Sequence, residues 1–116
     1  GRLMELLGRG QVVNHDMSEA MLALLRRQGI NDRIPQGLPD GVPVAHKTGN
    51  WDDATHDAAF VFAPHGTYVL AVLSDLAWEN EGIVDLSRAV YRYFEGIPPA
   101  AAPAIATPAA TGPARP

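Results

Sequence analysis

Cysteine is absent from this 116-residue chain, and Lys47 is its only lysine. The first absence excludes disulfides and thiolate metal sites but leaves the compartment open. The second means that every other side-chain cation at neutral pH is an arginine, so an ammonium group is offered at one place only. Positive charge is scarce: 9 Lys and Arg stand against 13 Asp and Glu, giving a formal net charge of -4 and a pI near 5.4. With no basic stripe to neutralise phosphates, a nucleic-acid partner is not expected. No apolar run reaches the roughly 18 residues of a membrane span, and no charged leader precedes an apolar core at the N-terminus. Large apolar groups are almost missing from the last stretch, which is built of Ala, Pro, Thr and Gly and cannot offset its chain entropy. We expect one domain over residues 1–96 and a disordered Ala/Pro-rich tail over 97–116.

What is present has the composition of a globular domain, 47% hydrophobic and 19% charged. Leu3, Met4, Leu6 and Leu7 suggest a short helical tail over residues 2–8, as though a helix were entered near its end. Asp16 and Glu19 stand in the spacing of a capping box, and Met21, Leu22, Leu24, Leu25 and Gln28 fill one side of a helix over about 17–28, with Gly29 as its left-handed stop. Residues 30–43, rich in Pro and Gly, read as an irregular connector. Strands are predicted over about 43–48, 57–63 and 67–74. The last two flank Pro64-His65-Gly66, a loop with glycine where a hairpin bulge wants it, and should be antiparallel neighbours. Both are apolar on each face, which predicts cover above and below. A final helix over about 80–95, capped by Asn80 or Glu79, carries Ile83, Leu86, Val90 and Phe94 in three- and four-residue spacing, widened by Val84 and Tyr91. Trp78, Tyr91 and Phe94 read as core or helix-packing residues, and His15 and His65 as turn residues without chemistry. The fold class is α/β (α+β): antiparallel strands with flanking helices, which are too few to cover two sheet faces.

The lone lysine opens Lys47-Thr48-Gly49 after the strand-like Val42-Pro43-Val44-Ala45-His46. A hydroxyl and an ammonium can hold a carboxylate together, and the missing side chain on Gly49 lets a ligand lie against the strand edge. A P-loop needs G-x-x-x-x-G-K-[ST]; Gly41 to Thr48 has His46 at the second glycine and leads to a strand rather than a helix. A metal site could draw on His46, Asp52, Asp53, His56 and Asp57, although their spacing fits no helical or knuckle motif.

Taken together, Ala45-His46-Lys47-Thr48-Gly49-Asn50-Trp51, His56-Asp57-Ala58-Ala59-Phe60-Val61 and Thr67-Tyr68-Val69-Leu70-Ala71-Val72-Leu73 resemble the C-terminal third of class A β-lactamases and related penicillin-recognising serine hydrolases, for which K-T-G is a motif. Met17 to Gln28, Arg33-Ile34-Pro35 and the final helix fall in the same order, so the resemblance covers roughly residues 1 to 96. It implies a partial β-lactamase-like three-layer sandwich. It also implies that Lys47 places its charge by the nucleophile and substrate carboxylate, and that Thr48 hydrogen-bonds that carboxylate. Gly49 would let the substrate lie along the strand, and the backbone N–H of Asn50 would be an oxyanion donor, its side chain a further substrate contact. No metal or organic cofactor is implied, and the partner is a β-lactam or peptidoglycan-like small molecule in an extracytoplasmic setting.

Several parts of the family pattern are missing. Ser18, Ser74 and Ser87 are followed three residues on by Met21, Ala77 and Val90, so no S-x-x-K exists, and Ser74-Asp75-Leu76 is not S-D-N. The family's deacylating glutamate falls before Gly1, and His56 occupies the region where many class A enzymes carry an arginine. The expectation is therefore a hydrolase segment, inactive by itself, that needs the N-terminal part of the same domain and associates when its hairpin lacks cover. The alternatives are a non-catalytic binding or degenerate domain of the same fold, and a penicillin-binding transpeptidase or carboxypeptidase relative.

Overall fold

The computed structural model describes residues 1–99, so most of the expected tail lies outside the described residues. The element order is α1 (Arg2–Gly8), α2 (His15–Leu25), a 3-10 turn (Ile34–Gly37), β1 (Val44–Trp51), β2 (Ala54–Ala63), β3 (Gly66–Ser74) and α3 (Asn80–Phe94). The strands form an antiparallel sheet in the order β1-β2-β3. Helices α1 and α2 lie on one face, and α3 with the 3-10 turn on the other, so the molecule is α+β with three layers.

Side chains alternate across a sheet, and the pairing fixes which residues share a face. On the α3 side Ala59, Val61, Ala63 and Tyr68 pack with Ile34, Leu38, Ile83 and Tyr91. On the α1/α2 side Ala45, Ala58, Phe60, Phe62 and Val69 meet Met4, Leu7 and Leu22. Every odd-numbered residue of β2 from Thr55 to Ala63 is buried, whereas the even-numbered ones are half-buried. The expected double cover thus holds along β2 but not at the end of β3, where Leu73 is 81% exposed.

Several boundaries differ from the sequence reading, each for a local reason. Helix α2 starts earlier because Asn14, in extended conformation, accepts the Met17 N–H at 2.8 Å; Asp16 lies inside the first turn. It stops at Leu25 through the short-range bonds Arg27 N–H to Leu24 O and Gln28 N–H to Leu25 O, and Gly29 is not left-handed. The connector is not merely irregular, since Arg33 and Ile34 within it are buried. Strands β1 and β2 run on to a two-residue turn, with Trp51 opposite Ala54, because polar Thr55 and Asp57 are buried and continue the ladder. Gly66 pairs with Ala63, so the second hairpin turns on Pro64-His65 alone.

Helix α3 is capped by Glu79, which accepts the Gly82 N–H, and ends in a Schellman pair, Gly96 N–H to Tyr93 O and Ile97 N–H to Arg92 O, with Gly96 at φ 67°. Its buried stripe is Ile83, Val84, Ser87 and Tyr91. Ser87 takes the centre because its hydroxyl donates to Ile34 O at 2.8 Å, which turns Leu86 outward. Tyr91 is buried and Phe94, half-exposed, packs α3 on the sheet by stacking on Tyr68, as expected of core or helix-packing residues, whereas Trp78 is exposed with φ 60° and is neither. His65 pairs with Glu95 through Nδ1 at 2.7 Å, joining the β2–β3 turn to the end of α3.

Candidate functional site: the free edge of β1

Bonded and non-bonded pairs alternate in an antiparallel ladder, and Phe62 N–H donates to Pro43 O at 3.0 Å. Ala45, Lys47, Gly49 and Trp51 therefore face β2 with their backbone groups, whereas Val44, His46, Thr48 and Asn50 turn N–H and C=O toward the free edge. The Asn50 N–H thus points away from the sheet. Lys47 is exposed on the α1/α2 face, and its Nζ curls over the edge to donate to the outward Thr48 carbonyl at 2.6 Å. Thr48, 6% exposed, lies on the opposite face, across from Asp57. Lysine and threonine do not share a face, so a ligand touching both must lie along the edge between them.

Gly49 stands on the lysine's face opposite His56, and a Cβ built on it would lie 3.6 Å from the His56 ring. His56 Nδ1 accepts the Ser74 N–H at 3.2 Å, so the proton of the neutral ring is on Nε2. Trp51, 78% exposed, stands at the hairpin tip.

A buried network on the α3 face fixes this edge from behind. Arg33 is 2% exposed; Nη1 donates to His56 O at 2.8 Å and Gly49 O at 3.3 Å, Nη2 to Asn50 Oδ1 at 2.7 Å and Nε to Asn80 Oδ1 at 3.2 Å. One guanidinium, with its rigid fork of donors, thereby ties the connector to β1, β2 and the start of α3. The oxygen of Asn50 is taken by this arginine, which constrains the side chain expected to contact substrate. Beside it, His46 Nδ1 meets Asp57 Oδ1 at 3.0 Å, Asp57 Oδ2 accepts the Ile34 N–H at 3.1 Å, and His46 Nε2 lies 3.1 Å from Asn31 Oδ1.

The metal alternative fails on this geometry. His46 and Asp57 are buried on one face and bonded to each other, whereas His56 faces the other. Among the described residues no group of three or more potential ligands converges. Sequence reasoning missed the role of Arg33, because an arginine in a Pro/Gly-rich connector reads as solvated; only its place beside Ile34-Pro35 offered a signal. Each serine is also engaged. Ser18 Oγ exchanges bonds with the backbone of Val12, Ser74 Oγ accepts the Leu76 N–H, and Ser87 is buried against Ile34.

Residues 1–94 match the model of the beta-lactamase enzyme family. Among solved structures, PBP-A is 33% identical with a TM-score of 0.75, over 81% of this chain and 37% of that one. A PBP-A mutant solved as an acyl-enzyme complex with penicillin G matches at 33% identity and TM-score 0.75, over 81% and 38%. A beta-lactamase from Sphaerobacter thermophilus is 31% identical with a TM-score of 0.73, over 83% and 39%. Comparison with curated proteins gives no match. The chain spans between 37% and 39% of the length of these solved relatives. It belongs to the beta-lactamase enzyme family, and its fold is β-lactamase-like.

Proposed function

We propose that the free edge of β1 is the K-T-G wall of a serine acyl-transfer site that takes β-lactams, and that the nucleophile and general base come from outside this chain. The observation that carries this reading is the meeting of the Lys47 ammonium, the Thr48 carbonyl and the outward Asn50 N–H along one unpaired strand edge. A substrate aligned there adds to the edge as a strand does. Lys47 then offsets its carboxylate charge, Thr48 contacts that carboxylate, and Gly49 leaves room for the backbone-like amide.

In the reaction, a serine oxygen attacks the β-lactam carbonyl carbon and the C–N bond breaks. The ring nitrogen takes the proton, and water later cleaves the ester. The Asn50 N–H supports the oxyanion of each tetrahedral intermediate, and loss of such a donor costs roughly 3 to 4 kcal/mol. The serines support the division of labour, since none stands at the free edge of β1: Ser18 and Ser87 are buried, and Ser74 ends β3, two strands away. The extracytoplasmic setting follows from the same reading. No described helix is long and apolar enough to cross a membrane.

The test has two arms. Alone, the chain should turn over no chromogenic cephalosporin. Fused behind the N-terminal portion of PBP-A, it should be acylated by labelled penicillin G, and Lys47→Ala should slow that acylation by about 100-fold or more. A folded fusion that is never acylated would leave the non-catalytic alternative. Persistence of the acyl-enzyme separates a penicillin-binding relative from a hydrolase.

A further inference from the structure

One buried charge on the α3 face is not used by the acyl-transfer reading. Asp57 is 1% exposed and stands directly opposite Thr48, in the non-bonded kind of pair whose Cα atoms are only about 4.5 Å apart. Its Oδ2 accepts the Ile34 N–H at 3.1 Å, which fastens the connector to the sheet. A carboxylate held there opposes the substrate carboxylate proposed for Thr48, because like charges facing each other away from water repel strongly. The edge takes an anion well only where this charge is cancelled.

Arg33 does not cancel it. Its guanidinium donates to the Gly49 and His56 carbonyls and to the Asn50 and Asn80 amide oxygens, and the carboxylate it meets is that of Asp32, at 3.5 Å. Lys47 lies on the other face of the sheet. Among the described residues the basic group paired with Asp57 is His46, also 1% exposed, whose Nδ1 lies 3.0 Å from Oδ1. The second ring nitrogen, Nε2, meets the Asn31 oxygen at 3.1 Å. A neutral imidazole donates only once, so satisfying both oxygens takes the imidazolium. We infer that His46 is the counterion of Asp57, and that the pair keeps the Thr48 end of the edge electrically neutral for the carboxylate of a β-lactam. His46 touches no substrate. It acts through Asp57, and this role rests on the acyl-transfer reading of the edge.

The test compares two probes on the fusion with the PBP-A N-terminal portion: penicillin G, which carries the carboxylate, and its methyl ester, which does not. Acylation is followed by the mass of the acyl-enzyme. His46→Gln keeps a hydrogen-bond donor for Asp57 but no charge. It should slow acylation by penicillin G about tenfold, the scale of one uncancelled charge in a partly shielded site, and leave the rate with the ester within about twofold of the parent. His46→Gln with Asp57→Asn, neutral on both sides, should recover the penicillin G rate. Asp57→Asn alone needs no counterion and should keep the parent's preference for penicillin G over the ester, a readout that survives if His46→Gln does not fold. A merely structural role would slow both probes together and would not be mended by Asp57→Asn. Equal slowing of both probes by His46→Gln, a double variant as slow with penicillin G as the single one, or a lost preference in Asp57→Asn therefore overturns the inference and leaves the acyl-transfer reading in place. A folded parent fusion that neither probe acylates overturns that reading, and the counterion role with it.

Discussion

On the α3 side of the sheet, side chains from four segments close over Arg33, His46, Asp57 and Ser87, each 2% exposed or less and each hydrogen-bonded. On the α1/α2 side the helices reach Ala45 and Phe60, but Lys47, Trp51, Ala71 and Leu73 remain exposed. Both faces belong to the same strands, so composition does not explain the difference; the supply of covering elements does. The sealed face spends its polar groups on one another and makes a scaffold. The bare end of the other face keeps a cation, an accessible glycine and an open strand edge, the edge proposed to take a ligand. Polar residues that look equally chemical in the sequence, His46 and Lys47 for example, are sorted by this division into support and site.

The largest expected effect breaks the sealed face. Arg33→Ala leaves the carbonyls of Gly49 and His56 and the amide oxygens of Asn50 and Asn80 without their shared donor. Leaving a buried acceptor without its donor costs about 1 to 3 kcal/mol, and several are left here, a large part of the roughly 5 to 15 kcal/mol that holds a domain together. Urea denaturation should show the midpoint collapsing. A variant within 1 kcal/mol of the parent, by the scale of ordinary surface changes, would mean that the guanidinium is not the tie described.

That tie also marks the limit of what the sequence discloses. Strands, hairpins and α3 are legible because continuous apolar runs, turn residues and helical spacing record burial directly, and K-T-G marks the edge proposed to carry the site. Asn14, Ser87 and Arg33 are not legible in this way. The Asn14 cap is local, to Met17, but the capping-box spacing of Asp16 and Glu19 obscures it, whereas a serine at the middle of a buried stripe and an arginine inside a proline-rich connector acquire their roles from partners far away in sequence. Ser87 meets Ile34 across 53 positions and Arg33 meets Asn80 across 47. Polar burial is a pairing property, and a single strand of text lists only one partner at a time.

A second break of the same face comes from Gly37. A Cβ there would lie 2.4 Å from the Val84 carbonyl oxygen and 2.7 Å from Ser87 Cβ, so Gly37→Ala forces backbone of the 3-10 turn away from α3. Overpacking of this kind costs about 1 to 3 kcal/mol, and the loss should appear as a lower thermal midpoint with the circular dichroism spectrum preserved.

Tyr68 is the flaw in the sealed face, since its hydroxyl is buried and has no hydrogen-bond partner among the described residues. Burial, reinforced by Tyr91 and Glu95, pushes its pKa from 10.0 up to about 12. The raised value means that the folded state retains the proton while the unfolded chain releases it. Stability from this group is therefore complete below pH 10 and falls between pH 10 and about 12. Tyr68→Phe removes the unpaired hydroxyl, and should stabilise the fold by about 1 kcal/mol at neutral pH and flatten its alkaline decline. Equal alkaline losses in parent and variant would show that the phenol is not the group responsible.

The smallest effect on stability separates the two faces most clearly. Gly49, unlike Gly37, has room: a Cβ would meet only the His56 side chain, at 3.6 Å from the ring and 3.7 Å from its Cβ, which is ordinary contact, and its φ is not left-handed. Gly49→Ala should therefore change stability by less than about 0.5 kcal/mol, with a slight gain from the reduced freedom of the unfolded chain. In the fusion with the PBP-A N-terminal portion, the same methyl group occupies the space beside the strand edge where the substrate amide is proposed to lie. Acylation by penicillin G should then fall while the melt stays fixed. If both quantities stay fixed, Gly49 is a bystander and the ligand does not run along β1. If both fall together, the bare face is as tightly built as the sealed one, and the contrast between them is wrong.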